Sequence, residues 1–384
     1  MRVLHLSADP GVPILGHKGA SVHVRALTRA LTRRGAEVIV ASPRVDPEGD
    51  VLDAPAKLVA IAPVLPKQFA DPAGLRAAMD AQAVDVIKVA IEFAVDAVYE
   101  RFSLFSDAGV IAAANLGVPH VLEVNAPLRE EARRFRTLPH ADFAADVERA
   151  VLSATSRVLV VSQPLVATVV ASGADRRIVE VVPNGVACDA PFAKPGRDPG
   201  AFTVGFAGSL KPWHGIETLL DAVKLATDEA PNLRLEVIGH GPLAHLLSDS
   251  GLPDTRLIHL GALPHGDTLA RIATWNVGVA PYLPLEDFYF SPLKVLEYMA
   301  AGICPVASEL GELPALLGDG ARGVLVAPGD AAGLARVLVR LAREPELASR
   351  LGAAARAYVR AHRDWDVNAA RVLDALTTAS GARS

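Results

Sequence analysis

Two side chains in Ser291-Pro-Leu-Lys-Val-Leu-Glu-Tyr-Met-Ala-Ala-Gly302 have the types and spacing to hold an anion beside a set of hydroxyls. The stretch reads as a helix of about three turns, with Ser291 as N-cap, Pro292 in the first helical position and Gly302 as the stop. Lys294 falls in the first turn, where the partial positive charge of the helix repels a cation. An anion lying between the ammonium and the free backbone N–H groups removes that conflict, and a phosphate is such an anion. Glu297 follows three residues later on the same face, where it can accept hydrogen bonds from sugar or ribose hydroxyls. The competing reading is a surface Lys294–Glu297 ion pair at helical spacing, which is worth little.

A second stretch with phosphate-binding character is Gly208-Ser-Leu-Lys-Pro-Trp-His-Gly215, a glycine-bearing turn between an expected strand and an expected helix. Backbone N–H groups in such a turn face a diphosphate, and Lys211 and His214 are placed to add charge. The bland account is an ordinary turn with a solvated lysine. Neither half of the chain carries the G-x-G-x-x-G dinucleotide fingerprint in the right context, which argues against a nicotinamide cofactor.

These stretches need a scaffold, and the chain supplies one. At 384 residues it is too long for one ordinary core, so two domains are expected. Strand and helix patterns alternate from Val3–Ser7 onward, the mark of doubly wound parallel sheets. Residues 43–70 are rich in proline and read as an irregular excursion. The turn at Pro183-Asn-Gly-Val186 and the Pro/Gly/Asp-rich run to about Gly200 mark the domain boundary. A second strand and helix series follows, and the tail from Asp330 is almost entirely helical. Two facing sheets of this kind place a ligand crevice at the carboxyl ends of their strands.

Composition narrows the function further. A net charge of −5 is small for this length and argues against a nucleic-acid binder held by a broad basic field, while leaving room for local basic patches. The two cysteines, Cys188 and Cys304, lie far apart with no zinc-type spacing, and read as reduced thiols in a cytosolic protein. No apolar run reaches the length of a membrane span, and the amino-terminal run is too short for a signal peptide. Arg25, Arg29, Arg33 and Arg34, with Arg129, Arg133, Arg134 and Arg136, could meet an anionic lipid surface or acceptor. Solvated helix faces are the competing account, so the expected location is cytoplasmic, with peripheral contact at the inner membrane face left open.

Taken in order, these motifs resemble glycosyltransferase family 4. The resemblance rests on the glycine-bearing loop before Ser21, Val182-Pro-Asn-Gly-Val186, Gly208–Gly215, Ser291–Gly302, Gly311-Glu-Leu-Pro314 and the helical tail. It implies two facing Rossmann-like domains (the GT-B fold) with an inter-domain cleft. It also implies a nucleotide-diphosphate sugar as co-substrate, no cofactor or required metal, and transfer with retention of anomeric configuration. The domains expected are residues 1–184 for the acceptor, 185–363 for the nucleotide sugar, and a terminal helix over 364–384 that packs back on the first domain.

Carried over by position, Glu297 matches the second glutamate of the family's Glu, seven residues, Glu pattern, the one that binds ribose. The first falls on Tyr289, and members with Ser-Pro-x-Lys here form a variant branch. The family's arginine and lysine in the other phosphate turn fall on Ser209 and His214, which leaves Lys294 and Lys211 as replacement cations at the diphosphate. Asn125 stands where the family often has a histidine. Gly19 matches a glycine whose backbone approaches the donor phosphate or the acceptor. The resemblance thus implies a donor site of Gly19, Gly208, Ser209, Lys211, His214, Tyr289, Ser291, Pro292, Leu293, Lys294 and Glu297. Lys294, Lys211 and Asn125 would carry catalysis. His17, Lys18, Glu100, Arg101 and Glu123 are expected to meet the acceptor, the three last because they follow strands that end at the cleft. The partners expected are a nucleotide-sugar donor and a sugar, lipid-linked or small-molecule acceptor. Two readings compete with transfer: a nucleotide-sugar 2-epimerase of the same fold, and a non-catalytic nucleotide-sugar-binding protein suggested by Tyr289, Ser209 and Asn125.

Overall fold

The computed structural model describes residues 1–16, 18–45, 56–189, 198, 200–284 and 291–381. The chain divides into two compact units: Met1–Asn184 with Trp365–Ser384, and Gly185–Phe288 with Pro292–Asp364; Ser291 belongs with the first.

The first unit begins with β1 (Arg2–Ser7), α1 (Gly19–Arg33), β2 (Glu37–Ser42), β3 (Ala56–Ala60), α2 (Pro72–Glu92), β4 (Ala97–Arg101) and α3 (Ala108–Leu116). It continues through β5 (His120–Val124), α4 (Leu128–Phe135), α5 (Ala141–Ala154), β6 (Arg157–Val160), α6 (Gln163–Ala171) and β7 (Val179–Val181). All neighbouring strands are parallel, in the order β3-β2-β1-β4-β5-β6-β7. Central strands buried on both faces explain the runs of Val, Leu and Ile without alternation, such as Val38–Ala41 and Val158–Val160.

The second unit holds β8 (Phe202–Ala207), α7 (Ile216–Thr227), β9 (Leu233–Ile238), α8 (His245–Ser248), β10 (Leu257–Gly261), α9 (His265–Ile272) and β11 (Val277–Ala280). After these come α10 (Leu293–Ala301), β12 (Cys304–Ser308), α11 (Leu313–Leu317), β13 (Val324–Val326), α12 (Ala331–Arg343) and α13 (Pro345–His362). Its parallel sheet runs β10-β9-β8-β11-β12-β13. The helix α14 (Trp365–Gly381) returns to the first unit, where Asp366 pairs with Arg33 of α1 at 2.8 Å and Trp365 stacks edge-on against His23 at 4.8 Å.

Both sheets are doubly wound, with the strand order reversing between β1 and β4 in one and between β8 and β11 in the other. Such a reversal leaves a crevice at the carboxyl ends of the two flanking strands, because their following connections leave toward opposite faces. Of the excursion expected over residues 43–70, residues 46–55 lie outside the described residues, and Ala56–Ala60 form β3, which closes one edge of the first sheet. Among the described residues, no helix is long and apolar enough to cross a membrane.

Candidate functional site

The predicted donor residues of the second unit gather at the reversal between β8 and β11. Gly208 follows β8 with φ +139, a conformation that suits glycine. A Cβ built on it would stand 3.1 Å from the Nζ of Lys294. That lysine enters from the first turn of α10, and its Nζ lies 4.1 Å from the centre of the Phe206 ring and 5.1 Å from that of Tyr282. The nitrogen is buried and has no hydrogen-bond partner among the described residues. Burial pushes its pKa down to about 7, against a smaller upward pull from Glu297. The surface ion-pair reading fails: Glu297 takes a hydrogen bond from His265 Nε2 at 3.0 Å, and no Lys294–Glu297 pair within 4 Å occurs among the described residues.

The start of α10 departs from expectation. Ser291 does not cap it; its hydroxyl accepts the Asn184 N–H at 3.2 Å, and Pro292 occupies the cap position without a side-chain bond. With ψ of 83° at Pro292, helical geometry begins only at Leu293, which puts Lys294 nearer the free N–H groups than the sequence suggested. Gly302, at φ +73, ends the helix as expected.

In the facing turn, His214 is not the cation expected. Its Nδ1–H donates to the Ser209 carbonyl, and burial, then the Lys294 ammonium, lower its pKa to about 3. It is neutral at physiological pH, and its Nε2 is left as an acceptor. Lys211 is exposed and lies 4.9 Å above the Trp213 ring, and Ser209 is exposed. Tyr289 and His17 lie outside the described residues.

The acceptor candidates of the first unit fare less uniformly. Glu100 is wholly buried, accepts a hydrogen bond from His120 Nε2 at 2.9 Å and stands 2.1 Å from where a Cβ on Gly109 of α3 would be. Burial raises its pKa. It therefore cannot touch an acceptor, because strand alternation turns it into the helix layer. Glu123 is likewise buried, with Oε1 taking 2.8 Å from His23 Nε2 and Arg101 3.7 Å from Oε2. Burial alone would raise its pKa, but the charges of His23 and Arg101 and the His23 hydrogen bond outweigh it and hold the carboxyl at about 2. Glu123 is thus a packing carboxylate and not an acceptor contact.

Arg101 stays at the carboxyl end of β4, beside Ser7 of β1 across the strand reversal. Asn125 follows β5 with its Nδ2 buried and unpartnered among the described residues, and Pro127 takes the cap position of α4 without a side-chain bond. Gly19 is the exposed first residue of α1, and Lys18, its N-cap, donates Nζ–H to the Gly11 carbonyl at 2.8 Å. The arginines offered for a lipid surface are mostly engaged. Arg25 donates to the carbonyls of Ile14 and Gly16, Arg33 pairs with Asp366, Arg129 with Glu148, Arg133 with Glu130 and Arg136 with Glu131.

The buried row beneath Glu123 gives a pH prediction. His5 on β1 meets Thr28 at 3.1 Å and Tyr99 edge-on, and burial lowers its pKa to about 4 against a counter-pull from Glu123. The unfolded chain therefore binds more protons between about pH 6.5 and pH 4, and stability falls as pH drops through that window. Urea midpoints of His5→Gln are expected to fall less steeply than wild type over that range; parallel slopes would remove His5 as the cause.

Three side-chain contacts of the site escape sequence reading. Phe206 and Tyr282, which enclose the Lys294 ammonium, look like ordinary core aromatics, and His265 lies 32 positions from its partner Glu297. Only the strand order brings them together.

Comparison with known proteins agrees with this architecture. The model of Glycosyltransferase Family 4 matches residues 17–190, and that of Glycosyl transferases group 1 matches residues 201–344. The chain is 33% identical over 211 residues to a phosphatidyl-myo-inositol mannosyltransferase of Mycolicibacterium smegmatis, covering 52% of each protein. To a D-inositol 3-phosphate glycosyltransferase of Streptomyces bingchenggensis it is 29% identical over 307 residues, 74% of this chain and 67% of the relative. The chain thus spans about half the length of the first of these relatives. The crystal structure of Anabaena Alr3699/HepE in complex with UDP and glucose superposes with a TM-score of 0.71 over 98% of this chain and 100% of that one, at 18% identity. That likeness is one of fold, the GT-B type built from two Rossmann-like domains. Since the two family models take up the two halves of the chain in order, covering residues 17–190 and 201–344, the chain belongs to glycosyltransferase family 4.

Proposed function

We propose that the protein is a retaining glycosyltransferase, moving a sugar from a nucleotide-diphosphate sugar to an acceptor hydroxyl. The observation that carries the reading is the buried Lys294 ammonium, without an acceptor among the described residues, set against the Gly208 turn where the second sheet reverses. A buried charge is costly unless a counter-charge meets it, and the diphosphate of a donor is an anion of the right size and place. The growing negative charge of the leaving nucleoside diphosphate would be stabilised by Lys294 and by N–H groups at the starts of α7 and α10. Lys211, exposed beside the same turn, adds a solvent-side cation. A leaving phosphate oxygen would take the proton of the acceptor hydroxyl on the same face of the sugar.

On this reading the second unit binds the donor, Gly19 joins the donor contacts, Lys18 and Arg101 meet the acceptor, and Asn125 serves catalysis. The relatives' names suggest inositol-based acceptors, within the wider class of glycan, lipid-linked and small-molecule hydroxyls. The test is a turnover assay across nucleotide sugars. Nucleoside diphosphate release should depend on an acceptor hydroxyl, the product should keep the donor's anomeric configuration, and EDTA should leave the rate intact. Inversion of configuration, or loss of activity with EDTA that Mg²⁺ restores, would overturn the mechanism.

A further inference from the structure

Glu297 is held from outside its own helix. The Nε2–H of His265, the first residue of α9, donates to Glu297 Oε1 at 3.0 Å, and both side chains are only half-buried. The helix that presents His265 is anchored to the sheet. Six residues on, Arg271 donates two hydrogen bonds, of 2.8 and 2.7 Å, to Glu236 of β9. Glu236 is wholly buried and takes a third bond, of 2.9 Å, from Trp275 Nε1. A bidentate arginine pair to a buried carboxylate fixes α9 in place, and His265 with it.

Glu297 has a competing attraction. Lys294 lies three residues earlier on the same helix face, with a buried ammonium that no described residue accepts from, and opposite charges at this spacing draw together. If they closed on each other, the carboxylate would neutralise the ammonium and neither would be free for a ligand. His265 holds Oε1 away from that contact. The second oxygen, Oε2, remains a pure acceptor beside the diphosphate seat, and its natural complement there is the hydroxyl pair of a ribose.

We propose that His265 is a positioning residue, which holds Glu297 in the rotamer that reads ribose hydroxyls and so separates ribonucleoside from 2′-deoxyribonucleoside diphosphates. The inference rests on the reading of this site as a nucleotide-sugar site. It is tested by calorimetric titration of the full chain with UDP, GDP and ADP and with the 2′-deoxy form of each. Wild type is compared with Glu297→Ala, His265→Ala and His265→Gln, whose amide N–H reaches about as far as Nε2.

A preference of at least about tenfold for the ribonucleotide is expected in wild type, as for a hydrogen bond to a charged acceptor. It should fall below about threefold in both alanine variants and return in His265→Gln. If His265→Ala keeps the wild-type ratio while Glu297→Ala loses it, His265 has no positioning role and the ribose reading stands. Equal loss of affinity for both nucleotide forms in His265→Ala also overturns the proposal, since it marks a structural defect only. If Glu297→Ala keeps the ratio, or wild type shows none, the ribose role of Glu297 falls and the inference with it. Failure of wild type to bind any of these nucleotides or their parent nucleotide sugars refutes the donor-site reading itself.

Discussion

Replacing Lys294 by methionine is expected to weaken nucleoside diphosphate binding roughly ten- to hundredfold, the loss of about 1.5–3 kcal/mol from one charge-assisted hydrogen bond, while leaving the unliganded protein at least as stable as wild type. The two effects have one cause. The ammonium is buried between Phe206 and Tyr282, where ring faces attract a cation but supply no lone pair. Burial makes the charged form costly, and the pKa of about 7 against an ordinary 10.5 records that cost. A methionine fills the same space and packs its sulfur against the rings.

The sign of the pH effect separates this account from a surface lysine. Between about pH 7 and pH 10.5 the unfolded chain carries the Lys294 proton more fully than the folded one, so wild-type stability rises with pH there and the Met variant lacks that slope. Three groups face the ammonium: Glu297 from its own helix, His214 from the turn before α7, and Tyr282 after β11. Glu297 alone pulls the pKa upward, while His214 is neutral and burial raises the Tyr282 hydroxyl further out of range. Diphosphate binding should restore the proton, so at about pH 8 the calorimetric heat should vary with the ionisation enthalpy of the buffer. Unchanged binding in Lys294→Met would return Lys294 to an ordinary structural role.

Much of the scaffold is legible in the chain, and what is not has a common physical reason. Strands buried on both faces, such as Val204 to Ala207 or Val277 to Ala280, announce themselves by uninterrupted apolar runs. The two strands absent from the sequence reading, β3 and β10, are both edge strands. Ala56-Lys-Leu-Val-Ala60 and Leu257-Ile-His-Leu-Gly261 mix polar and apolar residues because one side of each faces no neighbour.

The same logic divides the site. Lys294 stands out because a cation in a first turn contradicts a local rule, and local rules are readable. The direction of its ammonium is not, since Phe206 and Tyr282 meet it only through the adjacency of β8 and β11. Glu100 and Glu123 mislead for the converse reason. Both end or nearly end a strand, yet alternation sends them into the packed layers.

Gly215→Ala is expected to damage the protein more than any other single-methyl addition to the turn that carries the site. The residue sits at φ +66 between the short turn ending at His214 and the start of α7. A Cβ there would lie 1.8 Å from the carbonyl oxygen of Pro281, just past the end of β11. The obstacle is backbone, so no side-chain rotation relieves it, and either α7 or the end of β11 must move. β11 is one of the two strands that flank the reversal and α7 follows the other, β8, and Tyr282 beside Lys294 is the next residue after Pro281.

Gly35→Ala supplies the control. It carries the same left-handed cost, at φ +84 after α1, but a Cβ there meets nothing within 4 Å. That variant should lose only about 1 kcal/mol, the cost of a left-handed conformation for an L residue. Gly215→Ala should lose at least about 3 kcal/mol in urea unfolding and most of its nucleotide affinity, because overpacking against backbone adds to the same strain. Equal losses in the two variants would show that conformation alone, and not the approach of Pro281, makes residue 215 a glycine.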